Sequence, residues 1–379
     1  MKPTASAIGR SLLALLAATT LGTASAEIPI GLVGPLSGAA AVYGSETLAG
    51  ARFGLEELVA AGNPVARQVK LIPADSTANP GLAAQAAERM VSSDKVVAII
   101  GGMTSAETQA MIEVTRKASV VQLSPLAQDN ALTQQKNPWF FRIAQSADAF
   151  GMKVAEWSAD QLKAKRVYIL SRNDNFGQSN AQAFEAGLKA KGQQAVGQAS
   201  YEPTAKDFRP VLQKMAAANP DLVAIMGFYT DAGLIVKQMG EMQIKAQVYA
   251  NTAPGLPQFA EIAGPASRGV YGALYYFAGS VKSDAGSKLV DTWKAKYKRV
   301  PSQYEGMGYD AMKLVVHALQ TLPDPAKATS DQLRVALGKV SGYDGATGKI
   351  SFKPNGDADR PLPIVKLGAE GLTLDRLVQ

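Results

Sequence analysis

Thr104 and Ser105 are the residues of this chain best placed to bind an anion. They follow a strand-like run that ends in two glycines, Gly101 and Gly102, and they stand where a helical pattern begins. Hydroxyl groups and the free N–H groups of a first helical turn point the same way, and the positive end of the helix dipole adds to them, so a carboxylate would be held well there. The same atoms also serve a simple helix cap, which Glu107 would close as a capping box. Composition alone leaves both interpretations open.

Other short segments, polar or aromatic, also follow strand-like runs. Each one alone is a weak signal because loops are polar in general. Their shared position after strands indicates one common site. The segments are Gly34–Gly38 with Tyr43, Leu123–Gln128, Asn173–Gly177, Gly227–Asp231 and Ala250–Ala253.

The sequence offers little for catalysis. His317 is the single histidine, and it lies in an amphipathic helical stretch with no sequence neighbour that would make it a catalytic base. Cysteine is absent, and the spacings of phosphate loops, dinucleotide sites, nucleophile elbows and metal ligands do not occur. We therefore expect a protein that is not an enzyme, without cofactor or metal. A secreted hydrolase is the distant alternative, which an assay of His317→Ala would distinguish.

Strand-like and helix-like stretches alternate along the chain. Continuous apolar runs such as Val96–Ile100 and Leu222–Met226 are typical of parallel strands covered on both faces. The pattern restarts near Asp148, which indicates two α/β sets of similar size, each with a doubly wound sheet. Ligands bind at the carboxyl ends of the strands in such sheets, so the cleft between two facing lobes is the expected site.

The first 26 residues have the three-part pattern of a secretory signal peptide. Lys2 and Arg10 give a positive start, the apolar run Ser11–Leu21 follows, and the small residues Ala24-Ser25-Ala26 predict cleavage after Ala26. The apolar run is too short to span a bilayer. Without cysteine there is no lipid-modified residue at the cleavage site, so we expect a freely diffusing periplasmic protein.

The net charge of +7 is spread along the chain. Its densest run, Lys294–Arg299, is interpreted as a solvated helix face. Nucleic-acid binding needs a concentrated basic patch on a recognisable module, so we expect no nucleic-acid partner.

A set of short motifs occurs in one order behind the predicted signal peptide. The motifs are Ile30–Gly38 with Gly50–Arg52, Ile100–Ser105, Leu123–Pro125 with Leu132–Thr133, Phe141–Arg142, Phe176–Gly177, Lys206–Phe208 and Tyr309–Ala311. Together they resemble the branched-chain amino-acid (leucine/isoleucine/valine) binding-protein family of ABC transporters, and the likeness covers nearly all of the chain after Ala26.

The resemblance implies the type I periplasmic binding fold, in which two Rossmann-like α/β lobes are joined by three hinge segments and the ligand lies in the cleft between them. The hinges would lie near residues 144–148, 273–278 and 355–360. The domain boundaries that follow are a signal peptide at 1–26, lobe 1 at 27–146 plus 276–357, and lobe 2 at 147–275 plus 358–379.

The resemblance also implies roles for individual residues. Ser105, with the backbone amides beside it, would hold the ligand carboxylate, while Ala127 and Gln128 would face the ligand ammonium from the same lobe. Tyr43 would cover the apolar side chain of the ligand. The residues that would close over it from the other lobe and the rim are Phe176, Phe228 or Tyr229, and Tyr304.

Two departures from the family pattern bear on the ligand. Members that bind aliphatic amino acids place an acid where Thr252 stands here, and the family's hydroxyl residue is replaced by Gln128. An unpaired buried ammonium is costly, so Asp231 or Asp174 must replace the missing acid if the ligand is an amino acid. If neither reaches the ligand, a carboxylate without an amine, such as an aromatic acid, or a small amide is expected instead.

We therefore expect a monomeric, periplasmic solute-binding component of an ABC importer. It would bind a small carboxylate, first of all a branched-chain or other hydrophobic amino acid, by hinge closure and deliver it to the membrane permease. A sensory receptor that delivers the ligand to a membrane kinase uses the same physics and remains an alternative.

Overall fold

The structure is a computed structural model that describes residues 27–280 and 282–378. Within these ranges the strands form two large sheets and a hairpin. No helix in this part of the chain is long and apolar enough to cross a membrane. The predicted signal peptide and its cleavage after Ala26 lie outside the described residues.

The first sheet is parallel throughout and is covered by helices. Its strands are β1 Ile28–Gly34, β2 Val69–Asp75, β3 Ala98–Gly101, β4 Val121–Ser124 and β5 Phe140–Arg142, in the order β2-β1-β3-β4-β5. The helices that connect them are α1 Ala41–Ala60, α2 Pro80–Ser92, α3 Ser105–Ala118 and α4 Ala131–Gln134. The carboxyl ends of β1, β3 and β4 therefore meet at one edge of this sheet, as expected for parallel strands.

The second sheet repeats this arrangement. Its parallel strands are β6 Val167–Arg172, β7 Gly197–Tyr201, β8 Leu222–Met226, β9 Gln247–Tyr249 and β10 Tyr271–Ala273. The helices around them are α5 Ala147–Asp160, α6 Asn175–Ala190, α7 Arg209–Ala217, α8 Tyr229–Glu241 and α9 Pro257–Ala263. The predicted α/β fold with two lobes is confirmed.

The remaining elements return to the first lobe and then to the second. They are α10 Asp284–Tyr297, α11 Gln303–Gln320, α12 Ser330–Gly338, β11 Tyr343–Gly345, β12 Gly348–Ile350, β13 Leu362–Gly368 and β14 Gly371–Val378. The strands β11 and β12 form the hairpin, and β13 and β14 extend the second sheet in the antiparallel sense to give the order β14-β13-β10-β9-β8-β6-β7. Short 3-10 turns lie at Ala66–Gln68, Ala253–Gly255, Gly264–Ser267 and Pro325–Lys327.

Helix α11 anchors the late part of the chain against α1. A Cβ atom at Gly50 of α1 would lie 1.9 Å from the carbonyl oxygen of Glu305, and one at Gly308 of α11 would lie 2.0 Å from that of Thr47. Only glycine permits this reciprocal close approach. The crossing brings the buried residue Tyr304, near the start of α11, to the edge of the first sheet that faces the second lobe.

The chain passes between the lobes after β5, after β10 and after β12. At one crossing the buried guanidinium of Arg142 pairs with Asp357, with 2.5 Å between Nε and Oδ1. Beside it the side-chain amide of Gln145 donates to the carbonyl of Arg360. These crossings overlap the predicted hinge segments, and the hinge motion itself remains a prediction.

Candidate ligand-binding cleft

The loops at the carboxyl ends of both sheets face each other across a cleft with two connected compartments. The outer compartment has a volume of about 330 Å³, and the inner one has a volume of about 20 Å³. The residues that line both are Tyr43, Thr104, Ser105, Phe176 and Phe228. The cleft is therefore built by the ends of β1, β3, β6 and β8, where the sheet topology predicts a ligand site.

The start of α3 contributes the cleft's main hydrogen-bond donors. Thr104 caps the helix: Glu107 N–H donates to Thr104 Oγ1 at 3.2 Å, and Thr104 N–H donates to Glu107 Oε2 at 2.9 Å. This capping box satisfies the amides of Thr104 and Glu107 but leaves those of Ser105 and Ala106 without an intrahelical acceptor. Both residues line the outer compartment. The cap and the anion site are thus compatible, because they use different amides.

The carboxylate of Glu107 stabilises this cap from inside the lobe. It is fully buried, and Ser76 Oγ donates a hydrogen bond to it. Burial raises the pKa of Glu107, while the hydrogen bonds from Ser76 and Thr104 oppose that rise. The carboxyl faces its own helix start, so it is not available to a ligand.

Ser105 stands at the junction of the two compartments. Its side chain is almost completely buried, and its Oγ accepts a hydrogen bond from Asp129 N–H at 3.3 Å. Its hydroxyl proton has no acceptor among the described residues. The geometry therefore leaves one hydroxyl donor beside two free amides, which is the donor set that a carboxylate requires.

Aromatic rings enclose the space next to Ser105. Tyr43 lies at their centre, with ring-centroid distances of 5.1 Å to Tyr304, 5.5 Å to Phe228 and 5.8 Å to Tyr229. Phe176 lies 5.1 Å from Phe228, with the two rings tilted at 43° to each other. Aromatic contacts of these kinds give apolar walls of fixed geometry.

The two lobes touch across the cleft. The hydroxyl of Tyr229 donates to the carbonyl of Ala39 at 2.8 Å, and Asn175 Nδ2 donates to Asp129 Oδ2 at 3.2 Å. Tyr229 and Asn175 belong to the second lobe, and their acceptors belong to the first. The structure therefore has the lobes in contact over the cleft.

The inner compartment is lined by apolar and hydroxyl-bearing side chains. The hydroxyl of Tyr304 is buried and lies beside Thr252, without a hydrogen-bond partner of normal geometry among the described residues. Tyr275 donates its hydroxyl proton to the carbonyl of Leu126 at 2.8 Å. Burial raises the pKa of Tyr304, of Tyr275 and of Tyr43, so these hydroxyls are neutral at physiological pH.

Arg172 brings a positive charge to the outer compartment. Its Nε lies 2.5 Å from Asp174 Oδ2, its Nη1 lies 3.3 Å from Asp231 Oδ1, and its guanidinium lies 4.4 Å from the centre of the Phe228 ring. Asp231 also accepts from the hydroxyl of Tyr201 at 2.5 Å, and burial raises the pKa of Asp231. Asp174 and Asp231 are thus both paired with groups of their own lobe.

The sequence model of the periplasmic binding protein family matches residues 27–371. The chain belongs to the periplasmic binding protein family. It is 27% identical over 345 residues to an amino acid binding protein of Pseudomonas aeruginosa, covering 87% of this chain and 90% of that protein. Among solved structures it is similar to a leucine binding protein from Thermotoga maritima, with a TM-score of 0.87, 22% identity, and coverage of 93% of this chain and 99% of the other. It is also similar to an ABC-transporter solute binding protein from R. palustris in complex with benzoate, with a TM-score of 0.81, 19% identity, and coverage of 93% and 96%.

This periplasmic binding protein brings most of the residues singled out from its sequence to the cleft. Tyr229 lines the outer compartment, as does Asp174, and Ala127, Thr252 and Tyr304 line the inner one. With the residues shared by both compartments, they form one continuous surface.

Gln128 and Asp231 lie outside that lining. Gln128 is fully buried behind Ala127, and neither its Oε1 nor its Nε2 has a partner among the described residues. Asp231 pairs with Arg172, accepts a hydrogen bond from Tyr201, and is absent from the lining of both compartments.

Arg172 lines the outer compartment of this periplasmic binding protein but was not predicted from the sequence. It is the last residue of β6 and directly precedes the segment Asn173–Gly177, which had been selected. The sequence signal that could have indicated it is a charged residue at the end of a mostly apolar strand. Tyr275 was likewise passed over, although it lies in the aromatic run that follows β10.

Proposed function

We propose that this periplasmic binding protein is the solute-binding component of an ABC importer and that it captures a small carboxylate by closing its lobes. The observation that best supports the ligand class is the start of α3, where Ser105 and Ala106 present free donors to the cleft. The positive end of the helix dipole adds to these donors. The similarity to an amino acid binding protein and to a benzoate-bound solute binding protein also supports a carboxylate, because both kinds of ligand carry one.

The lobes are proposed to close as rigid bodies. Lobe 1 comprises residues 27–146 plus 276–357, and lobe 2 comprises 147–275 plus 358–379, with the hinges between them. A ligand docks first on the lobe that carries Ser105. Closure is then favoured because the bound ligand contacts both lobes and so binds the closed state more tightly.

The exported protein is proposed to act as a monomer that hands its ligand to a membrane permease and catalyses no reaction. Cleavage after Ala26 would leave Glu27 as the first residue of the mature protein. Mass spectrometry of the protein purified from the periplasm would test this, and a mature chain that retained residues 1–26 would contradict it.

A thermal-shift screen of the mature protein tests the ligand class. A ligand that binds only the folded state raises the melting temperature, so small carboxylates should raise it by an amount that grows with the logarithm of the ligand concentration over Kd. The panel includes leucine, isoleucine, phenylalanine, benzoate, 3-phenylpropanoate, 4-methylpentanoate, acetamide and urea. Stabilisation by the amides alone would contradict the proposal.

Ser105→Ala tests the proposed carboxylate site. Calorimetry with the best carboxylate of the screen should show a loss of about 1.5–3 kcal/mol, as expected for a hydrogen bond to a charged group. The matched control is Ser92→Ala, an exposed serine of the same lobe at the end of α2, which should leave the affinity unchanged. Equal affinities of the two variants would remove Ser105 from the site.

A further inference from the structure

We propose that the ligand of this cleft is a small apolar or aromatic carboxylate that carries no ammonium group. This inference rests on the proposed function and narrows it to acids that lack an amine. It is carried by the distribution of charges around the two compartments.

The inner compartment contains no partner for an ammonium. Among the described residues, none of those that line it carries a charge at physiological pH, since its polar groups are hydroxyls and backbone. Thr252 and Tyr304 offer neutral oxygens there. A buried cation needs an acid close by, because neutral hydrogen bonds do not offset its loss of hydration. An uncharged ligand end fits this compartment.

The lining of the outer compartment includes two bases and one acid. Arg172 and Lys206 are the bases of its lining, and Asp174 is the acid. Asp174 already accepts from Gly177 N–H at 2.9 Å and from Arg172, so it caps α6 and neutralises the guanidinium. An incoming ammonium would have to compete with Arg172 for this carboxylate, so the lining offers an ammonium no uncommitted acid.

Asp231 is removed from the cleft by its own contacts. Its side chain is only 4% exposed, and it accepts hydrogen bonds from Tyr201, from Phe228 N–H and from Arg172. Reaching a ligand would require breaking this cluster. The two acids that could have received an ammonium are therefore both committed to Arg172.

The walls favour an apolar body with an aromatic or branched shape. Phe228 contacts both Tyr43 and Phe176, and these rings line the outer compartment together with Ser105 and Ala106. The buried hydroxyl of Tyr304, which has no hydrogen-bond partner of normal geometry among the described residues, lies in the lining of the inner compartment. It suits a neutral polar substituent at the far end of the acid as well as an apolar one.

Matched ligand pairs test the inference on the mature wild-type protein by calorimetry. The pairs are 4-methylpentanoate with leucine and 3-phenylpropanoate with phenylalanine, which differ by the ammonium group alone. The acid without the amine should bind at least ten-fold more tightly in each pair that binds. An amino acid that binds as tightly as its partner would overturn the inference but leave the proposed carboxylate receptor intact. Failure of both members of both pairs, and of benzoate, would overturn the proposed function itself.

Thr252→Glu provides a gain-of-function test. A new acid in the inner compartment should reverse the order within a pair, with tighter binding of the amino acid and weaker binding of its partner. Thr252→Gln is the matched neutral control and should keep the wild-type order. If Thr252→Glu does not fold, the matched ligand pairs measured on the wild-type protein still test whether the ligand lacks an ammonium group. A folded Thr252→Glu protein with the wild-type order would count against the inference.

Discussion

The guanidinium of Arg172 lies 4.4 Å from the centre of the Phe228 ring. The two residues come from the ends of β6 and β8, and both line the outer compartment. The guanidinium lies over the ring that forms one wall of the cleft, and it also pairs with Asp174 and Asp231. Arg172 thus contacts an aromatic wall of the cleft and also contributes a charged group to its lining.

Arg172→Met should destabilise the protein. The substitution keeps most of the apolar stem but leaves the buried carboxyl of Asp231 without its cation, so we expect a loss of about 3 kcal/mol in the free energy of unfolding. Urea denaturation measures this, and the double variant Arg172→Met/Asp231→Asn should recover part of the loss. The control Arg209→Met removes an exposed arginine from its exposed partner and should change nothing measurable. Equal stabilities of the two arginine variants would contradict a structural role for the Arg172 cluster.

The sequence predicted the buried elements well because their patterns are local. Helices α2 and α3 begin where the side chains of Asn79 and Thr104 cap them, and such caps are local signals in the sequence. Strands β3 and β8 are continuous buried runs, as their composition indicated.

The sheet edges were missed for a physical reason. Strand β7, with the sequence GQASY, alternates half-buried and exposed residues, and β14 is mostly exposed. A polar edge strand has the composition of a loop, and only pairing with β6 or β13 makes it a strand. Strands β5 and β10 have three residues each, too few for a periodic pattern.

The cleft was predictable as a set of loops but not as a set of charges. Parallel strands place Phe176 and Phe228 at one edge of the second sheet and Ser105 at the corresponding edge of the first, so these residues could be selected from the sequence. The ion pair between Arg172 and Asp231 joins residues that are 59 positions apart in the sequence. No local sequence pattern encodes such a contact.

Tyr229→Phe should weaken ligand binding without unfolding the protein. The hydroxyl of Tyr229 donates to the carbonyl of Ala39 across the cleft, so its loss removes one contact that exists only when the lobes are together. The net value of a neutral hydrogen bond is about 0.5–1.5 kcal/mol, which corresponds to a roughly 2- to 12-fold higher Kd. Calorimetry measures the affinity, and small-angle scattering without ligand should show a more open average shape.

Tyr297→Phe is the control for this effect, because Tyr297 is exposed on α10 and lies outside the cleft lining. Its affinity and scattering profile should match those of the wild type. If Tyr229→Phe also matched the wild type in both measurements, the Tyr229–Ala39 contact would have no part in closure.

Arg142→Met should reduce both stability and affinity. The buried guanidinium pairs with Asp357 at a crossing between the lobes, and its Nη1 donates to the carbonyl of Asp129 at 2.7 Å. Asp129 N–H in turn donates to Ser105 Oγ, so Arg142 positions the loop beside the proposed carboxylate site. Removal of one partner of a buried ion pair costs about 3–5 kcal/mol.

Two measurements separate the roles of Arg142. Urea denaturation gives the loss of stability, and calorimetry below the melting temperature gives the affinity of the folded fraction. Arg142→Lys keeps the charge but loses the planar fork, so it should recover stability only in part. Affinity unchanged in a folded Arg142→Met protein would show that the loop holds its position without the arginine.

Glu46 should make the stability depend on pH between about 4.5 and 7. Burial raises the pKa of Glu46 from 4.5 to about 7, against the hydrogen bond from Ser302, and nearby Glu305 adds to the rise while Arg299 opposes it. In this window the folded chain keeps a proton that the unfolded chain has released, so the free energy of unfolding falls as pH rises. Glu46→Gln keeps the hydrogen bond and cannot ionise, so it should be more stable than the wild type by about 1–3 kcal/mol above pH 7.5, with little difference at pH 4.5. Urea denaturation at a series of pH values measures this difference. The control is Glu88→Gln, which changes an exposed glutamate. Parallel pH profiles of Glu46→Gln and the wild type would show that Glu46 ionises freely in the folded protein.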